Sequence, residues 1–126
     1  MATTSERAMV PMRQQSPQRL ISDTELERAL DWLRDHAEDI GRAKERVIKA
    51  GHMLKHIEAL ETKMSQEKSV EARKADARCS LRYVAAMEED AVAAGEYEKM
   101  RSLREAAALK IEAWRTESSN YRAMRI

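Results

Sequence analysis

Residues 21–64 read "ISDTELERALDWLRDHAEDIGRAKERVIKAGHMLKHIEALETKM", and the spacing within this stretch decides the fold. Its first residues form a helix start. Ser22 is placed to accept the backbone N–H of Glu25 while the Glu25 side chain reaches back, and Ile21 and Leu26 stand where a hydrophobic staple would put them. Asp23, Glu25 and Glu27 favour the positive end of the helix dipole. Beyond the cap, Leu26, Leu30, Leu33, Ala37 and Ile40 recur at spacings of four and three. Ala43, Val47, Ala50, Leu54, Ile57 and Met64 continue the stripe after a phase shift beside Gly41. The stretch therefore predicts one helix over about 22–64, roughly 65 Å long, with Gly41 and Gly51 as weak points.

Working outward, residues 1–21 hold both prolines and no apolar periodicity, with three arginines against one glutamate. They are expected to form a mildly basic, flexible arm. On the other side, "MSQEKSV" (64–70) is the best place for a reversal, although it lacks Gly and Pro. A second helical region is expected over about 69–118, with Val70, Ala77, Leu81, Val84, Met87 and Ala91 on one side. Tyr97, Met100, Leu103, Ala107, Ile111 and Trp114 follow after Gly95, which either breaks this helix or is tolerated within it. "RTESSN" (115–120) supplies side chains that compete for backbone hydrogen bonds, so the helix is expected to end near 118–120, leaving 121–126 as a tail. The domain is then 22–120, an all-α long antiparallel hairpin or coiled coil, with a three-helix bundle as the alternative.

Composition supports long helices. Aromatics are 4%, Phe is absent and charged residues are 36%, so large core side chains are scarce and helices must associate along their length. Self-association is the expectation. Trp32 strengthens it, because Trp32 lies off the main stripe with Ala29, His36 and Ala43 on an adjacent face, and so wide an apolar sector calls for two neighbours. Leu26, Ala29, Leu30, Trp32 and Leu33 are accordingly the candidate oligomer contacts. The net charge of +1, from 23 basic and 22 acidic residues, gives no overall field for nucleic acid or membrane. No stretch approaches the roughly 18 apolar residues of a membrane span, and no secretory signal is evident. A single cysteine, Cys79, excludes an internal disulfide framework and fits a reducing compartment. A cytoplasmic location is expected.

The chemistry on offer is sparse. His52 and His56 are four apart on a helix, but "MLK" between them lacks the glutamate of a zinc-protease pattern and no further ligand is evident. Carboxylate runs such as Glu88–Asp90 sit among basic residues at helix-pairing distance. No phosphate loop or nucleophile motif is present, so no catalytic, metal or cofactor residue is assigned. Arg42, Arg46, Lys49, His52 and His56 form a basic stripe that could follow successive phosphates. At the end of the chain, Trp114, Arg115, Tyr121, Arg122 and Met124 combine aromatics, arginines and apolar groups, a segment that either folds back as an anchor or docks onto a partner.

Two blocks, "SDTELERALDWLRDHA" (22–37) and "LREAAALKIEAWRTESSNYRAM" (103–124), resemble small helical proteins encoded by tailed phages and prophages. The likeness covers about a third of the chain. It implies a phage accessory protein in the host cytoplasm, in a setting of DNA recombination and replication, near single-strand annealing proteins and exonucleases. Two functions follow as expectations. One is a non-catalytic helical interaction protein that oligomerises and uses its C-terminal segment to engage a phage or host protein of DNA metabolism. The other is direct nucleic-acid binding through the stripe and the basic termini. Inhibition of a host defence enzyme has no supporting feature.

Overall fold

In a computed structural model, residues 19–125 are described, and they form three helices and no strand. Helix α1 spans Asp23–Met64, α2 spans Val70–Arg78 and α3 spans Leu81–Met124. Most of the arm expected over 1–21 lies outside the described residues; Arg19, Leu20 and Ile21 lie within them.

Each helix starts on a serine. The side chains of Ser22, Ser69 and Ser80 accept the N–H of Glu25, Ala72 and Tyr83, satisfying one of the orphan donors that every helix start leaves. The reversal falls at residues 65–69, as the sequence suggests. There Ser65 donates to Asp76 (2.6 Å), and Arg73 Nε donates to the Glu67 carbonyl (2.7 Å), so the turn is tied to α2 without Gly or Pro.

The two long helices pack against each other as an antiparallel hairpin, and α2 folds back chiefly onto the end of α1. Cross-helix contacts set the register: Asp23 meets Trp114, Arg46 meets Glu89 and Glu96, and Gly51 lies beside Asp90. Among the described residues the buried positions are alanines apart from Ile40, and small residues let two helices approach closely.

The seam itself differs from the expected one. Along α1 the covered positions are Leu26, Ala29, Leu33, His36, Ile40, Ala43, Val47, Ala50, Leu54 and Ile57, an unbroken heptad pattern without a shift at Gly41. Leu30 and Ala37 are exposed beside it. A reading confined to apolar residues passes over His36, which the fold accommodates: its Nδ1–H donates to the Trp32 carbonyl (2.9 Å), and its ring stacks on Trp32 at 4.5 Å. Ala29, His36 and Ala43 thus belong to the main seam, and Trp32 stands beside it, half-buried against His36.

The second half of the hairpin needs three corrections. The helix expected over 69–118 is broken at Cys79–Ser80, while Gly95 is tolerated inside a continuous α3, as one of the two expectations had it. The covered positions early in α3 are Tyr83, Val84, Ala86, Asp90 and Ala93; of the residues expected there Val84 is half-buried, whereas Leu81 is 89% exposed and Met87 and Ala91 are also exposed. One rigid helix has one rotation, and the apolar run Tyr97–Trp114 fixes it; counting back by sevens from there lands on Ala93 and Ala86. Finally, α3 continues to Met124, past the expected stop at 118–120.

Gly95 has nothing within 4 Å of where a Cβ would stand and no positive φ. Gly95→Ala is therefore expected to raise stability by about 0.5–1 kcal/mol, through lower unfolded-state entropy and better helix propensity. A shift of the urea midpoint to higher concentration checks it.

Candidate functional site

Among the described residues, the end of α3 holds the densest set of long-range side-chain contacts. Because α3 outruns the start of α1, its last turns would stand alone, and residues 19–22 fold over them. Glu117 accepts the N–H of Leu20 (2.8 Å) and of Ile21 (2.9 Å) on its two carboxylate oxygens. Those two hydrogen bonds, helped by the nearby Arg19 charge and opposed by partial desolvation, hold the Glu117 carboxyl below the usual carboxylate range. Trp114 Nε1 donates to Asp23 (2.9 Å). The Arg19 guanidinium lies over both the Trp114 and Tyr121 rings, 5.5 and 5.3 Å from their centroids, within cation–π range, and donates to Ser118 (3.1 Å). These contacts explain why "ESSN" stays helical: tertiary partners override weak local propensity.

The C-terminal candidates therefore divide. Trp114 and Tyr121 are half-buried and serve as the anchor for the chain's own N-terminal segment. Arg115 pairs with Glu112 (3.1 Å), Arg122 reaches Ser119 (3.4 Å), and Met124 is 79% exposed. Arg19, Trp114, Ser118, Tyr121, Arg122 and Arg125 line an open cleft of about 320 Å³. Arg19 and Ser118 were missed by sequence reasoning, since nothing local signals that positions 99 apart meet.

The expected basic stripe is not a free row of cations. Arg46 bridges the hairpin to Glu89 (2.8 Å) and Glu96 (2.5 Å). Hydrogen bonding to Glu89, then the charges of Glu89 and Glu96, raise its pKa further. Arg42 pairs with Glu38 and Asp39, and Lys49 with Glu45. His52 and His56 are exposed, and among the described residues no group of three His, Cys, Asp or Glu side chains could hold a metal ion.

Of the proposed oligomer contacts, Leu26, Ala29 and Leu33 turn into the intramolecular seam and Trp32 is half-buried against His36; Leu30 remains exposed. A second basic cleft, of about 490 Å³, lies between α1 and α2 and is lined by Lys55, Lys63, Arg73 and Lys74 with Glu58, Thr62 and two apolar residues, and no aromatic. Among the described residues no helix is long and apolar enough to cross a membrane. Comparison with protein-family models, curated proteins and solved structures finds no match.

Proposed function

We propose that this chain is a non-catalytic helical scaffold that assembles with further copies of itself and presents the end of α3 to its partners, as an accessory factor in phage DNA recombination or replication. One observation carries the assembly. Among the described residues only Ile40 is both buried and larger than alanine, while Leu30, Ile48, Met53, Met87, Val92, Leu103 and Leu109 on the long helices are 42–69% exposed. A hairpin with so slight a core gains most by covering those groups against another helical surface, since apolar burial yields about 25 cal/mol per Å². A second copy is always at hand and carries the same unmatched residues. The phage setting rests on the resemblance of residues 22–37 and 103–124.

Sedimentation equilibrium tests the assembly. The mass at micromolar concentration is expected to be a multiple of the 14.5 kDa chain. Ile48→Glu with Leu109→Glu is expected to lower it without loss of helix, since both side chains are exposed. A single 14.5 kDa species at every concentration overturns the proposal.

A further inference from the structure

We infer that the cleft at the α3 end binds single-stranded nucleic acid, with its arginines taking backbone phosphates while Trp114 and Tyr121 stack against bases. The inference rests on the scaffold reading only in taking this end as the part that faces partners.

Charge comes first. Arg19, Arg122 and Arg125 line the cleft and, among the described residues, no carboxylate does. The acids closest in the fold have other partners and lie on the Arg19 side: Asp23 accepts the Trp114 indole N–H and stands 3.9 Å from Arg19, and Glu117 accepts the Leu20 and Ile21 amides, which leaves Arg122 and Arg125 clear of both. Arginine suits phosphate because its planar fork donates in pairs.

The rings decide between ligands. An acidic peptide would use the guanidiniums and leave the aromatics idle, whereas unpaired bases stack on aromatic and guanidinium planes alike. Arg19 extends that platform, lying across both rings with its side chain still 34% exposed. In a duplex the base faces are stacked inside and out of reach. At about 320 Å³ the cleft is also at the small end of ligand-sized sites, roughly 300–1,000 Å³, which suits one splayed nucleotide better than a helix. The α1–α2 cleft is as basic and lacks an aromatic, so it serves as an internal control.

The test is fluorescence anisotropy of a labelled oligothymidylate of about ten nucleotides, within the roughly 4–16 typical of single-strand sites, titrated with the full chain. Binding is expected, with a log–log salt slope of about −2 for three phosphate contacts at about 0.7 each. Arg122→Glu with Arg125→Glu is expected to weaken it at least about tenfold and to bring the slope near −0.7. Lys55→Glu with Lys74→Glu changes the net charge equally and is expected to leave affinity within about twofold, if the site rather than the overall field binds. In the Trp32→Phe variant, the remaining Trp114 emission is expected to be quenched on binding.

Absence of binding at low salt overturns the inference. So do equal losses in the two double variants, equal affinity for a duplex of the same length, or displacement by polyglutamate as effective as by oligothymidylate. Sedimentation of the same variants reports self-assembly separately, so loss of binding with the assembled mass intact leaves the scaffold reading standing.

Discussion

Replacing Ile40 by alanine is expected to lower the unfolding free energy by about 3 kcal/mol, inside the roughly 2–5 kcal/mol range for such truncations at buried sites. Among the described residues Ile40 is the one buried side chain larger than alanine, 8% exposed at the middle of the seam. Its loss leaves a gap that neighbours as small as alanine cannot collapse to fill. Against a typical stability of about 5–15 kcal/mol this is a large fraction. The melting temperature should fall by about 12–15 °C, at about 4–5 °C per kcal/mol for a domain near 100 residues. Leu81→Ala is the contrast. Apolar spacing alone puts Leu81 on the seam, but it is 89% exposed, and its truncation should stay within about 0.5 kcal/mol. Thermal denaturation of both variants at the lowest workable concentration, where assembly contributes least, decides the matter: equal losses would mean that α3 is rotated away from the phase described above.

The clasp at the α3 end is expected to open with acid. The Glu117 carboxyl is held below its usual range by the Leu20 and Ile21 N–H groups, so its stabilising contribution is complete above the ordinary carboxylate pKa and disappears as pH falls through the lowered folded value. At neutral pH the two amides should exchange slowly with solvent. Below the usual carboxylate range their protection should drop to that of unstructured chain, and Trp114 emission should shift as residues 19–22 leave. Glu117→Gln removes the charge that strengthens both hydrogen bonds and should give the open state already at neutral pH, with little further dependence on acid. Protection of the two amides, taken relative to the intrinsic exchange rate at each pH, that stays constant from neutral pH into the acid range would show that Glu117 does not hold them.

Much of the hairpin was legible because its signals are local. The Ser22 cap, the reversal at 65–69 and the helical character of both long segments depend on residues within a turn of one another, and the helices form where those residues direct. The phase of the seam was not legible. Both Leu30 and Ala29 suit a buried stripe, and His36 hides the heptad from any count of apolar residues. The break at Cys79–Ser80 was equally obscure, since Ser80 lacks the glutamate three residues on that marks Ser22, and Gly95 draws the eye instead. The basic stripe shows the same limit in electrostatic form. Arg46 looks like a spare cation until α3 brings Glu89 and Glu96 beside it.

The sequence by itself determined that this chain makes long helices, where the first begins and where it turns back, because caps and propensities act over a few residues. Only the tertiary structure decided which stripe each helix buries, that α3 runs on to Met124, and that Arg19 reaches Trp114 and Tyr121. Those outcomes follow from how two rigid rods fit side by side, and closeness across nearly a hundred residues leaves no mark in either segment alone.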